Sequence, residues 1–253
     1  MATKRFTPAI SINKDEDGNF SFGGIFKMIR VQGCTFTMGA CGKCAEGSRV
    51  EETPIHEVTL SDYFIGQTPV TRALWHRVMD GEKPKDGLIP MGRITWFDCY
   101  KFIRKLNCLT GYKYHFDLPT EAQWEFAARG GVKSRGFRYS GSDILDEVAW
   151  FEQNSGDTRH HVALKKPNEL GVFDMSGNIG EWCTDEWDRY PETPQTDPSP
   201  EPEGAFKVIR GGSFSDGTVR CRVSDRRNWD PSGKAPSIGF RLVMKIKEFD
   251  ING

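Results

Sequence analysis

The chain has 253 residues, with 34 Lys and Arg against 35 Asp and Glu and a net charge of -1 at pH 7. Near-neutrality removes any global attraction to nucleic acid or an anionic membrane, and no apolar run approaches the ~18 residues of a spanning helix. Aromatics at 12%, with 27 Gly and 14 Pro, point to one domain whose core is built from large rings among loops and short strands.

Residues 1–22 read as a polar N-terminal arm, with Asp15-Glu-Asp-Gly18 as a turn; residues 23–253 read as a single domain. Met1 to Asp17 lacks the apolar stretch of a secretion signal. The expected address is therefore cytoplasmic, or the cell surface if a leader is removed. Ile25–Val31 and Cys34–Gly39 are expected strands, followed after a loop by His56–Leu60 and Tyr63–Ile65. The seven cysteines (34, 41, 44, 99, 108, 183 and 221) do not have the density of a secreted disulfide framework. Cys41 and Cys44 form a C-x-x-C, for which a structural loop, a zinc site and a redox pair all stand open.

Three helices are expected next. Thr71 caps the first, with Leu74, Trp75, Val78 and Met79 on one face. Thr95 opens the second, where Trp96, Tyr100, Ile103 and Leu106 recur at helical spacing and Gly111 stops it. Thr120-Glu-Ala-Gln123 is a capping box for the third, which Gly130-Gly131 ends. From there to Lys207 periodicity is almost absent. A tract that long must be pinned by side chains, by metal, or by both. His160 and His161 within it read as surface loop residues, and 197–204 as a Pro-rich surface connector. Val208–Arg210 and Gly239–Ile246 are expected strands bracketing a C-terminal loop.

Eight phrases in order carry a family resemblance. They are Phe36-Thr-Met-Gly39, Pro54-Ile-His-Glu-Val-Thr-Leu60, Pro69-Val-Thr71, the run Leu118–Gly131, Pro167–Gly171, Asp174–Trp182, Arg210-Gly-Gly-Ser213 and Gly239-Phe-Arg-Leu242. Together they resemble the formylglycine-generating enzyme (sulfatase-modifying factor) family. The resemblance implies an α+β, C-type-lectin-like fold with a small twisted antiparallel sheet, two to three helices and extensive ordered loops. It also implies a structural calcium, with Asp174, Gly177, Ile179 and Glu181 matching the family's ligands by position. For Glu181 the alternative is a buried ion pair with Arg222 or Arg241. The family's oxidases hold copper on a pair of cysteines after Gly-Gly-Ser. Here that segment reads Gly212-Ser-Phe-Ser-Asp-Gly-Thr-Val-Arg-Cys221, with one cysteine only. The resemblance therefore points to a non-catalytic branch with no copper, and the alternative is a copper-dependent oxidoreductase using Cys221 with another thiol.

The segment 210–241 divides into framework and remainder. The framework is Arg210-Gly-Gly-Ser213, Cys221-Arg-Val223, Arg226, Pro231 and Gly239-Phe-Arg241. Between these lie Ser215, Asp216, Gly217, Val219, Arg220, Asp225, Arg227, Asn228, Trp229, Asp230, Gly233, Ala235, Pro236 and Ser237. Their chemistry is mixed and without period, so they contribute little to a core and are expected to face a protein or glycan ligand. Trp229 beside Arg227 and Asn228 has the composition of a contact hot spot. The layout also resembles the variable region of proteins diversified by retroelements. Lys207 to Arg241 holds eight Lys and Arg against three Asp. Pairing of Arg210, Arg222, Arg226 and Arg241 with acids such as Glu121, Glu125 and Asp185 would leave too few cations for nucleic acid.

Overall fold

The computed structural model describes residues 11–79, 84–199 and 205–246. Residues 1–10 of the expected arm, 200–204 of the connector and the last seven residues of the domain lie outside the described residues. In chain order come β1 (Ile12–Lys14), β2 (Phe20–Phe22), β3 (Phe26–Val31), β4 (Thr35–Met38), β5 (His56–Thr59) and β6 (Tyr63–Gly66). Then follow α1 (Arg72–Met79), α2 (Trp96–Leu109), β7 (Tyr114–Asp117), α3 (Glu121–Ala128) and α4 (Leu145–Val148). The C-terminal part adds β8 (Gly180–Glu186), β9 (Gln195–Thr196), β10 (Lys207–Arg210), β11 (Arg226–Trp229), β12 (Ile238–Gly239) and β13 (Val243–Ile246).

These make three sheets: β1-β2-β3-β6-β13-β7, β11-β10-β8-β12, and β4-β5-β9. The six-stranded sheet is antiparallel throughout. Parallel pairing occurs at β12 with β8 and at β5 with β9. The fold is α+β and C-type-lectin-like, as the resemblance implies. The helices begin where their caps predict. Thr95 accepts from Asp98 N and Asp98 answers to Thr95 N; Thr120 and Gln123 do the same at α3. A fourth helix, α4, is a single turn.

Three expectations change. Residues 11–22 are not an arm: Phe20 and Phe22 are buried, Phe22 stacked on Phe26, both rings edge-to-face against Tyr114 and Phe22 also against Phe116, and the segment adds two strands to the large sheet. Gly239–Ile246 is not one strand. It divides at Phe240–Leu242, where Arg241 turns inward and donates to Gly66 O and Phe173 O at 2.7 Å, so β12 and β13 join different sheets. The aperiodic tract contains β8, whose residues Gly180 to Thr184 are all buried. Burial on both faces removes the alternation that would have marked it as a strand.

Side chains pin the rest of that tract. Asn168 accepts from Leu170 N and Val172 N and donates to Ala127 O and Ser140 Oγ. Asn178 accepts from His160 N and donates to His160 O. His160 is half-buried, its ring stacked on Trp150 with centroids 3.8 Å apart, while His161 pairs with Asp86 at 2.8 Å. One core lies between α1, α2 and the large sheet, around Trp75, Phe102 and Phe240. A second surrounds α3, which is buried along its whole length and carries Trp124 to the base of the C-terminal segment. Rings such as Phe102 and Phe116, fully removed from water, each contribute about 1.5–3 kcal/mol.

Candidate functional site

The C-terminal segment hangs on buried ion pairs. Arg210 donates to Glu121 Oε1 at 2.6 Å and to Glu125 Oε2 at 2.5 Å. Arg226 forms a two-point contact with the same Glu121, at 2.7 and 2.6 Å. Arg222 does likewise with Glu52, which also accepts from Ser224 Oγ at 2.6 Å. Arg241 grips Glu181 at 3.0 and 2.9 Å. Burial would raise Glu52 and Glu125, yet the guanidinium contacts outweigh it and hold both below the usual carboxylate range. The expected internal pairing of these four arginines is therefore present. Glu121 and Glu125 are partners as expected, but Asp185 is not: it accepts from Glu121 N and Thr184 Oγ1.

Two glycines bring the chain off β10 into the segment. Gly211 (φ 93°) lies where a Cβ would meet the Trp124 ring at 3.0 Å, and Gly212 (φ 66°) where it would meet Arg220 O at 2.7 Å. Phe214 N then donates to Asn178 O, and Ser213 Oγ to Asp216 Oδ2 at 2.5 Å. After a short 3-10 turn at Thr218–Cys221 the chain runs back as β11, the edge strand of its sheet, paired with β10 from Lys207↔Trp229 to Arg210↔Arg226. The 230–237 loop is tied down by its backbone. Trp96 N donates to Pro231 O, Arg93 N to Ala235 O and Gly180 N to Ser237 O.

Burial separates the two sets of residues. Arg210 to Ser213, Cys221 to Val223, Arg226 and Gly239 to Arg241 are all buried; Pro231 is half-buried. Of the expected contact residues, Ser215, Val219, Asn228, Trp229, Asp230 and Pro236 are exposed, and Asp216, Gly217, Arg220, Arg227, Gly233, Ala235 and Ser237 are half-buried. Several touch. Arg227 forms a two-point pair with Asp216 at 2.9 and 3.0 Å, and lies 3.5 Å from where a Cβ on Gly180 would stand, beside Ser237 O. Trp229 is 43% exposed and its indole nitrogen sits 2.5 Å from the Cβ position of Gly233, so only glycine leaves room for the ring.

Asp225 departs from the expectation. It is 1% exposed, its Oδ1 has no hydrogen-bond donor, and Arg220 and Arg222 stand 3.7 Å away. Those contacts are too long for hydrogen bonds. Burial dominates over the arginine charges and raises its carboxyl to about 6. Asp225 belongs beneath the surface, with the framework.

The calcium ligand set implied by resemblance does not fit a cation as arranged. Both Glu181 oxygens are engaged, Oε2 also accepting from Trp124 Nε1 at 2.6 Å. Asp174 accepts from Ala163 N at 2.8 Å and Asn178 Nδ2 at 3.2 Å, and Gly177 O accepts from Ile179 N. The loop, with Asp174, Gly177 and Asn178 all at positive φ, satisfies its own polar groups. Ile179 is a core residue, 1% exposed.

Cys221 is fully buried, and burial, helped by Asp216 and Asp225, pushes its thiol far up. All seven cysteines are free. Cys44 is buried and its sulfur lies 4.0 Å from Arg129 Nη1, while Cys41 Sγ points to Thr37 O. Among the described residues, no three His, Cys, Asp or Glu side chains gather as a metal site, and no helix is long and apolar enough to cross a membrane.

A C-type-lectin-like scaffold with an arginine-anchored C-terminal segment is the class that this fold and site define. Within it, residues 23–246 match the sulfatase-modifying factor enzyme 1-like domain, and the chain belongs to that family. It is 32% identical to the chaperone protein LppX of Paenibacillus barcinonensis, over 74% of this chain and 81% of that protein. It is 31% identical to the formylglycine-generating enzyme of Streptomyces coelicolor, over 85% and 88%. It spans 38% of the length of the serine/threonine-protein kinase pkn1 of Chlamydia pneumoniae, at 29% identity and with 87% of this chain covered. Among solved structures, variable protein 1 of Treponema denticola superposes with a TM-score of 0.75 at 27% identity, covering 86% of this chain and 94% of that one.

Sequence reasoning missed Glu52, whereas for Glu181 the ion pair with Arg241 is one of the alternatives it offered. Glu52 sits in a loop next to Glu51 with no period to distinguish it. It also missed a cavity of about 420 Å³ between α2, β7 and β13, lined by Trp96, Tyr100, Asp117 and Lys207. These residues are dispersed over more than 100 positions, and only the fold assembles them.

Proposed function

We propose that this protein is a binding protein that displays the 215–237 surface to a protein or glycan ligand, with its exposed positions open to diversification. The carrying observation is the division by burial. Residues that hold the backbone are inside and paired, while thirteen of the fourteen mixed-chemistry positions are exposed or half-buried on one short stretch of chain. A surface so anchored tolerates changes of side chain without change of backbone, which is what recognition on a rigid scaffold requires. The named Treponema denticola protein of the same fold is a variable protein, and that name supports the same use of the surface here. Trp229, Asn228 and Arg227 on the edge strand supply an aromatic anchor with polar neighbours.

The experiment is to sequence the 3′ end of the gene across a population of cells. Substitutions concentrated at positions such as 215, 219, 228, 229 and 236, with 210–213 and 239–241 unchanged, are the expected result. Substitutions spread evenly over framework and surface would remove the diversification claim. Exchange of the exposed side chains for alanine, followed by loss of capture of a cell-surface protein or glycan bound by the native chain, tests the binding role itself.

A further inference from the structure

The arginines that hold the C-terminal segment each have a carboxylate in contact. Elsewhere, three arginines without one stand together. Among the described residues, Arg72, Arg93 and Arg159 have no ion-pair partner, yet all three stand on one short stretch of backbone. Arg72 opens α1, and its N–H donates to Ile89 O at 2.9 Å beside the Thr71–Pro90 bridge. Arg159 Nη1 donates to Pro90 O at 2.7 Å. A Cβ on Gly92 would stand 2.5 Å from that same nitrogen and 2.8 Å from Pro236 O, so the guanidinium lies directly over Gly92. Arg93 comes next, at φ 60°, with its N–H bonded to Ala235 O at 3.0 Å.

The like charges are felt. Burial, with Arg72 and Arg93 adding to it, pushes Arg159 down to about 10. Asp86, the acid in the preceding turn, is held by His161 at 2.8 Å. A half-buried cation beside two others, without a carboxylate, costs stability unless an anion joins it. Guanidinium groups bind oxygen anions through paired N–H donors and stay charged at any physiological pH.

We propose that Arg72, Arg93 and Arg159 form a binding site for an oxyanion group, a carboxylate, sulfate or phosphate, at the 235–237 end of the displayed surface. The group arrives either as a free ion or on an acidic peptide. Gly92 leaves room above the backbone for the Arg159 guanidinium that would hold it, and Pro236, exposed at the rim, marks where a larger ligand continues onto the display surface.

Thermal unfolding in sodium sulfate against sodium chloride at equal ionic strength tests the site. At about five times its Kd, sulfate raises the Tm of the native protein by about 2–4 °C relative to Arg93→Gln and Arg72→Gln. General salting effects act on all three proteins alike, so the difference reads the site. Neither side chain makes a hydrogen bond within the described residues, so both variants fold, and in chloride they melt at or above the native temperature. An oligoglutamate peptide in the same assay separates the sources: a stronger response than to sulfate indicates a peptide carboxylate, and sulfate alone indicates a free oxyanion. An equal response of native and variant proteins to sulfate and to the peptide overturns the proposal. The assay needs no ligand of the display surface, so its failure and that of the binding reading are separate.

Discussion

Arg222 and Glu52 face each other across 170 residues of sequence, Nη2 to Oε1 at 2.6 Å and Nη1 to Oε2 at 2.7 Å, with neither side chain more than 2% exposed. Ser224 Oγ and Arg49 N complete the carboxylate's shell. The pair ties the end of the 3-10 turn to the N-terminal loop, so it fixes where the displayed surface begins. Glu52→Ala strands a buried guanidinium and is expected to cost about 3–5 kcal/mol. It appears as a lower urea midpoint at unchanged slope. Glu52→Leu with Arg222→Met removes both charges and recovers most of that loss. A single-variant cost below about 1 kcal/mol would show that the pair is not what holds this turn.

Display and framework differ in their sensitivity. Val219→Ala, Asn228→Ala and Trp229→Ala remove exposed side chains and are expected to shift stability by no more than about 0.5 kcal/mol. Gly212→Ala places a Cβ 2.7 Å from Arg220 O at a φ of 66°, and is expected to cost about 2 kcal/mol or more. Melting temperatures of the four variants decide it. Comparable losses at Trp229 and Gly212 would mean that the indole is a core residue and not a presented one.

Local signals were legible in the sequence where local physics decides them. Thr95 with Asp98 and Thr120 with Gln123 announce helix starts because a cap is completed within four residues. The framework of 210–241 could be read because Gly-Gly and alternating arginines have few other uses. Arginine partners could be named only as a set of acids, Glu121 and Glu125 among them, and not pair by pair. Glu52, Glu121 and Glu181 lie 60 to 170 residues from the guanidinium groups they meet, and no spacing rule spans that. Asp225 was misplaced for a related reason: it stands among polar neighbours in sequence, and only packing against Arg222 takes it inside. Phe20 and Phe22 were read as part of a polar arm because charged residues around Asp15 outweigh two rings in composition, although the rings decide the burial.

Thiol reactivity follows exposure. Cys108 is exposed and Cys34 and Cys41 are half-buried, whereas Cys44, Cys99, Cys183 and Cys221 are buried, and burial raises the thiols of all four. A colorimetric thiol titration is expected to show three fast groups in the native protein and seven in denaturant. Cys221→Ser leaves the fast count at three. Its falling to two would identify Cys221 as an accessible, activated thiol and would revive an oxidase centre.

Metal removal tests the loop from Asp174 to Glu181. Because Arg241 and Trp124 already occupy Glu181, chelation with EDTA and return of millimolar calcium are expected to leave the Tm unchanged. A ligand held by the native state alone must raise it. A calcium-dependent rise would require Glu181 to leave Arg241, and Arg241→Met would then strengthen the response.

Acid titration isolates Asp225. Burial raises its folded pKa to about 6 from an unfolded value of 3.8, against the pull of Arg220. Between those values the folded chain holds a proton that the unfolded chain has released. Its contribution to stability is thus fully present below pH 4 and is lost as pH rises through 6. At about 1.4 kcal/mol per unit, the loss amounts to about 2–3 kcal/mol by pH 7.5. Asp185, raised to about 6 chiefly by burial, acts in the same direction, so a pH profile of the native protein alone does not assign the effect. Asp225→Asn does, because the amide cannot ionise while Asp185 titrates in both proteins. The stability of Asp225→Asn relative to native is expected to grow by about 2–3 kcal/mol from pH 4 to pH 7.5, read from urea midpoints at each pH. A difference that stays constant over this range would mean that Arg220 and Arg222 close on Asp225 as true ion pairs, and that its carboxylate is ionised in the folded chain throughout.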